Sequence, residues 1–253
     1  MICVLGGIRE SREVAVRLLD AGRKVLFSTA TTIPFPLPGD PRLERRIGEL
    51  DREALQRLLR NRPIRAVLDV THPYAGRITR VARGACRRES VPYFCYLRPP
   101  ALEPGAKQVT RAAGHPEAAR LACEREAVVL LTIGTRSLEP YVERARAAGS
   151  RLYVRILPCP QSRETCRVLG IDDEHIISGG RVDSVENNVS LLRSCGADVL
   201  VTKDSGKQGG TRAKLAAARR TDTQVIAVER PAAYCAEVAD SVEELVKKLQ
   251  AAL

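Results

Sequence analysis

Short apolar runs alternate with helix-periodic segments along nearly the whole chain, and this alternation constrains the fold more than any other feature. Ile2-Cys3-Val4-Leu5 is too short for a helix and ends on Gly6-Gly7. A helical pattern follows over 10–21, with Val14, Ala15, Leu18 and Leu19 on one face, and Gly22 ends it. Further strands are expected at 24–27, 66–70, 93–96, near Val109, and at 128–131, 152–156, 175–177, 198–202 and 224–228. Helical periodicity lies between them. Asp51 can cap a helix that buries Ala54, Leu55, Leu58 and Leu59, another runs through 78–86, and one starts at Pro116. Asp183 with Glu186, and Ser241 with Glu244, read as helix starts. Such alternation gives an α/β fold of parallel sheets with helices on both faces. The Pro- and Gly-rich stretch 98–105 interrupts the rhythm, and a strong strand restarts it near 127. Two domains are therefore expected, 1–126 and 127–253, with an interdomain cleft as the natural ligand site.

Composition narrows the function. The chain has 253 residues, 44% hydrophobic, and no apolar run approaches the roughly 20 residues of a membrane span. Apolar strand residues begin at Ile2 with no basic stretch before them, so no signal peptide is read and a cytoplasmic location is expected. None of the eight cysteines forms C-x-x-C, and several occupy apolar positions, which suits reduced thiols acting as small hydrophobes. His72, His115 and His175 have no paired spacing, which argues against a metal site. The formal charge of +11 suits a nucleic acid, an anionic membrane or a polyanionic small molecule. The arginines are scattered, and three Phe and no Trp leave few platforms for base stacking. A polyanionic small molecule is the better fit.

Five strand ends carry polar motifs. Gly6-Gly7 resembles the opening of a dinucleotide loop, where glycines let the backbone approach a phosphate at a helix N-terminus. The third small residue of that fingerprint is missing: Ile8, Arg9 and Glu10 follow. A tight turn without a ligand reads equally well, and Glu10 can simply complement the helix dipole. At the second strand end, Ser28-Thr29-Ala30-Thr31-Thr32 offers hydroxyls and no carboxylate, which favours NADPH over NADH. Asp69-Val70-Thr71-His72-Pro73-Tyr74-Ala75 ends a central strand where α/β sheets place ligands. Without a serine nucleophile or second histidine beside it, a hydrolytic triad is not indicated. Thr132-Ile133-Gly134-Thr135-Arg136 and the basic, Gly-rich loop 201–211 suit anions, although the latter lacks Walker A spacing.

Together these motifs resemble the precorrin-6A reductase family of cobalamin biosynthesis. The carrying residues are Leu5-Gly6-Gly7 with Glu10 and Arg12, the 69–75 motif, Arg98-Pro99-Pro100, Leu131-Thr132-Ile133-Gly134, and Val201-Thr202-Lys203-Asp204-Ser205-Gly206 with Lys214. The resemblance implies two Rossmann-like domains and hydride transfer from NADPH, with NADH as the alternative, to a polycarboxylated corrin macrocycle. The product would pass to the next methyltransferase of the pathway. It implies no nucleic-acid or membrane partner and no metal held by the protein. It further implies that Gly6, Gly7 and Arg12 serve the cofactor phosphates, that Glu10 belongs to the cofactor site, and that Ser28 and Thr29 lie near the adenosine ribose. Thr71, His72 and Tyr74 would sit beside the nicotinamide, with His72, Tyr74 or water as proton donor. Thr132, Gly134, Arg136, Arg181, Lys203, Ser205, Gly206 and Lys214 would face the substrate. This chain departs from the family pattern at Ile8, at Gly180-Arg181-Val182, and after Ala30, where the usual Gly-Arg is absent. Another NADPH-linked reductase or epimerase on the same fold, or a non-catalytic nucleotide sensor, are the competing readings.

Overall fold

A computed structural model of the chain describes residues 1–31, 35–102, 109–179, 183–231 and 238–253. They form two compact units: 1–99 with 231–253, and 100–230.

Unit 1 contains β1 (Ile2–Leu5), α1 (Arg9–Asp20), β2 (Val25–Thr29), β3 (Leu43–Ile47), α2 (Arg52–Asn61), β4 (Ala66–Asp69), α3 (Gly76–Arg88) and β5 (Tyr93–Tyr96). With β12 (Val238–Ala239), its six-stranded sheet has the order β3-β2-β1-β4-β5-β12, all parallel. The sixth strand and the helix α9 (Val242–Ala252) come from the end of the chain. Alternate residues feed opposite faces. Ile2, Val4, Phe27 and Leu68 join one buried cluster with α1 and α9, while Cys3, Leu5, Leu26 and Val67 join another with α2 and α3. Cover on both faces is why these strands read as unbroken apolar runs.

Unit 2 contains β6 (Val109–Ala112), α4 (His115–Ala122), β7 (Val128–Leu131), α5 (Glu139–Ala148), β8 (Arg151–Ile156), α6 (Pro160–Val168), β9 (Ile176–Ser178), α7 (Val185–Cys195), β10 (Val199–Lys203), α8 (Thr211–Arg220) and β11 (Gln224–Val228). Its sheet, also parallel, has the order β9-β8-β7-β10-β11-β6. Both sheets follow a doubly wound pattern, in which strand order reverses beside the first strand of unit 1 and beside the second strand of unit 2. The reversal lies between β1 and β4 in unit 1 and between β7 and β10 in unit 2.

The expected boundary at 126/127 needs correction. β6 pairs with β11, so the second sheet begins before 127, and β12 pairs with β5, so the last strand returns to the first sheet. Only these long-range pairings reveal it. Two caps also differ in detail. Ser184 rather than Asp183 caps α7, its Oγ accepting from Asn187 N at 3.1 Å. Ser241 caps α9, but Glu244 reaches the amide of Asp240, one residue before the cap. Asp51 caps α2, accepting from Ala54 N at 2.7 Å. Among the described residues no helix is long and apolar enough to cross a membrane, and all seven described cysteines are free.

Candidate active site

In unit 1, Gly6, Gly7, Ser28, Thr29, Thr71 and His72 all fall at the carboxyl edge of the sheet, around the β1/β4 reversal. The two glycines have separate causes. A Cβ on Gly6 would lie 2.5 Å from Phe27 Cζ and 2.9 Å from Ser11 Oγ, so packing excludes a side chain there. Gly7 has φ +128°, a conformation other residues rarely adopt, and open space where its Cβ would be. Its N–H donates to Ser11 Oγ at 3.1 Å, and that hydroxyl donates to Ile8 O at 2.5 Å. Ser11 thus closes the turn that leads into α1. Ile8, where a third small residue was expected, is buried in the apolar cluster under α1; the departure has a packing reason.

Glu10 points into the unit. Arg98 donates to both its oxygens, Nε to Oε1 and Nη2 to Oε2, each at 2.6 Å, and Tyr96 OH donates to Oε1 at 3.4 Å. Burial acts to raise the Glu10 carboxyl, but Arg98, with help from the backbone and Tyr96, holds it below the usual carboxylate range. The expected cofactor contact of Glu10 gives way to a brace that ties the start of α1 to the segment after β5. Arg12, two residues on, is exposed.

At the end of β2, the buried Ser28 is the register partner of Arg46 on β3, whose Nη1 donates to Ser28 Oγ at 3.3 Å. Thr29 donates to Thr31 O at 3.3 Å. At the end of β4, Asp69 is 1% exposed. Its Oδ1 accepts from Thr71 N and Oγ1 at 3.2 and 2.7 Å, and its Oδ2 accepts from Tyr93 OH at 2.7 Å. Asp69 therefore fixes the backbone and hydroxyl of Thr71. The Tyr74 amide donates to His72 Nδ1 at 3.3 Å, and the two rings lie 5.7 Å apart. A neutral His72 with Nδ1 as acceptor carries its proton on Nε2.

In unit 2, Thr132, Gly134 and Arg136 follow β7, and Lys203, Ser205 and Gly206 follow β10, around the second reversal. Thr132 is bound by N and Oγ1 to Val201 O. Gly134 and Gly206 both have φ +76°. The N–H of Ser205 donates to Thr211 Oγ1 and that of Gly206 to Asp204 Oδ1, so both amides shape the loop. Lys203 Nζ donates to Ile133 O at 2.7 Å. Lys214, in the first turn of α8, is 6% exposed and donates to Thr202 Oγ1 at 3.0 Å. Burial lowers both lysines to about 8. Arg136 adds to the effect on Lys203, and Arg155 and Lys203 add to that on Lys214. Burial also lowers Arg155, partly offset by Asp183. His115, hydrogen-bonded to Tyr141 OH at 3.0 Å, is lowered to about 4 by burial and by Lys203. Cations crowded at a strand end bear on one another unfavourably, and an anion there relieves the cost. Arg181 lies outside the described residues.

Sequence reasoning missed Arg46, Asp69, Arg98, Arg155 and Asp204. Asp69, Arg98 and Asp204 stand inside quoted motifs; for Asp69 and Arg98, a charged residue between apolar neighbours is a detectable sign of a buried bond, whereas Asp204 lies between Lys203 and Ser205. Arg46 and Arg155 lie on strands amid many scattered arginines and give no local signal.

The family model described as "Precorrin-6x reductase CbiJ/CobK" matches residues 1–250. The chain is 29% identical to cobalt-precorrin-6A reductase of Priestia megaterium, over 98% of each chain. It is 34% identical to that of Methanothermobacter thermautotrophicus, over 91% of this chain and 76% of the other. It is 30% identical to precorrin-6A reductase of Rhodococcus erythropolis, over 91% and 89%. Among solved structures it resembles CobK precorrin-6A reductase, with a TM-score of 0.78 and 25% identity over 99% and 96% of the two chains.

Proposed function

Because the chain belongs to the precorrin-6x reductase family, we propose that it reduces the macrocycle of precorrin-6A, or of its cobalt complex, with NADPH as donor. The observation that carries this reading is the pair of strand-order reversals. One is glycine-turned and lined with hydroxyls, and the other is lined with cations.

The residues of unit 1 fit a dinucleotide. Gly7 opens space at the start of α1, whose N-terminus favours a phosphate. The end of β2 offers hydroxyls and a guanidinium rather than a carboxylate. When bound, the reduced nicotinamide supplies hydride. Thr71, oriented by Asp69, keeps lone pairs that can accept from a carboxamide. His72 can donate a hydrogen bond from Nε2, whereas protonating Nδ1 would cost it the Tyr74 amide bond. That makes His72 a hydrogen-bond donor first, with Tyr74 or water as the proton source. In unit 2, Lys203, Lys214, Arg136 and Arg155 supply the positive field for a substrate rich in carboxylates.

The deciding assay follows NADPH and NADH oxidation with precorrin-6A and with cobalt-precorrin-6A. Turnover of either substrate supports the reading, and oxidation with neither defeats it. His72→Ala is expected to lower kcat about tenfold or more; full activity would remove His72 from the reaction.

A further inference from the structure

The side chain of Arg46 is held at the end of β2 by three acceptors. Nη1 donates to Ser28 Oγ at 3.3 Å and to Gly48 O at 2.6 Å, and Nη2 donates to Glu49 O at 3.2 Å. All three are neutral. The carboxylate of Glu49 is paired elsewhere, with Arg77 at 2.6 Å. A guanidinium has five N–H donors, so these three bonds leave two without an acceptor among the described residues, on a fixed, half-buried cation. Register accounts for the placement: Ser28 and Arg46 face each other across the β2/β3 pair. Gly48 accounts for the rest. Its φ of +124° turns the chain after β3, and its N–H caps Thr29 O at 2.9 Å, folding the Gly48 carbonyl onto the guanidinium.

In a doubly wound dinucleotide unit, the residues at this strand end read the adenosine ribose. A carboxylate holds a 2′-hydroxyl, and an arginine accommodates a 2′-phosphate. Ser28-Thr29-Ala30-Thr31 supplies no carboxylate. We propose that Arg46, positioned by Ser28 and the Gly48 carbonyl, binds the 2′-phosphate of the dinucleotide and so sets a preference for NADPH over NADH. The inference rests on the reading of unit 1 as the dinucleotide unit. It gives this chain a phosphate reader on β3 in place of one in the loop after Ala30. A planar fork suits the task, because it meets a phosphate with two parallel bonds.

The test is calorimetric titration of the wild type, Arg46→Gln and Arg46→Lys with NADP+, NAD+, adenosine 2′,5′-bisphosphate and 5′-AMP. The wild type is expected to bind the 2′-phosphorylated member of each pair at least about tenfold tighter. Arg46→Gln should lose roughly tenfold to a hundredfold in NADP+ affinity and leave NAD+ nearly unchanged. Arg46→Lys should retain part of the preference, and the preference should shrink as salt rises. Retained NAD+ binding also reports that the variants are folded. Equal affinities in the wild type, or equal losses for both dinucleotides in Arg46→Gln, overturn the inference; the second outcome would make Arg46 only a brace for the loop after β3. Failure of the wild type to bind any of the four defeats the reading of unit 1 itself, and the inference with it.

Discussion

Arg98→Met tests a buried ion pair of unit 1. Arg98 and Glu10 are 5% and 6% exposed in their side chains, and two bonds of 2.6 Å join them. Methionine keeps much of the volume and removes every donor. Glu10 is then left as a buried carboxylate whose remaining side-chain donor is Tyr96 OH at 3.4 Å. Breaking one partner of such a pair costs about 3–5 kcal/mol, and urea unfolding at pH 7 should show a loss of that size. The pH dependence has a definite sign. The folded carboxyl of Glu10 is held below its unfolded value, near 4.3 for a free glutamate. Its stabilising contribution is therefore present above about pH 4.3 and lost as pH falls through the lower folded value. The gap between wild type and Arg98→Met should be full at neutral pH and narrow below about pH 4. Adding Glu10→Leu should recover most of the loss, because replacing a buried pair with apolar groups is often neutral. A loss under about 1 kcal/mol, or a gap that widens on acidification, would refute the reasoning.

Three further outcomes are expected. Gly6→Ala places a methyl 2.5 Å from the ring of Phe27, which is fully buried, so urea unfolding should show a loss of about 1–3 kcal/mol; an unchanged midpoint would mean the ring yields freely. Lys214 has a folded value near 8 against 10.5 for the free group. The unfolded chain thus holds more protons between those values, and wild-type stability should rise with pH there by up to about 3 kcal/mol. In Lys214→Met the curve should be flatter over that window, and equal slopes would count against the burial argument. Asp204→Ala strips acceptors from the amides of Ala101, Leu102 and Gly206 and from Arg230. A loss of about 3 kcal/mol or more in urea unfolding is expected, and a near-neutral result would contradict the assigned bonds.

What was legible in the sequence divides by range. Central strands announced themselves because both faces are buried, so every residue of β1 and β7, and of β4 as far as Asp69, is apolar. β3, Leu-Glu-Arg-Arg-Ile, gave no such signal: it is the edge strand of its sheet and largely exposed. That silence concealed Arg46. α5 and α6 were missed for a related reason, since Glu-Pro and Cys-Pro openings look like turns although Pro is well suited to a first helical turn. The polar strand ends were recognised as a set, but partners were not. Glu10 read as a dipole complement, and nothing local connects it with Arg98, 88 residues away. The lysines were found by motif; their burial and crowding are properties of the folded unit alone.

The misplaced boundary has its own lesson. Unit 2 is an insertion into unit 1, entered at Pro100 and left at Arg230. An inserted unit must hold the two ends of its own chain near one another. Asp204 does so: one carboxylate accepts from the amides of Ala101 and Leu102 just after the chain comes in. It also pairs with Arg230 at 3.4 Å just before the chain goes out, while Arg230 Nε donates to Asp204 O at 2.8 Å. Asp204 follows Lys203 directly. The segment that brings a cation to the second reversal is therefore the one that fixes the ends of the insertion. Read as sequence, the 201–206 motif assigns Asp204 no role of its own. In this fold it is an acid that accepts from Ala101, Leu102, Gly206 and Arg230, and a change there should disturb Lys203 through the shared backbone as well as the closure of unit 2.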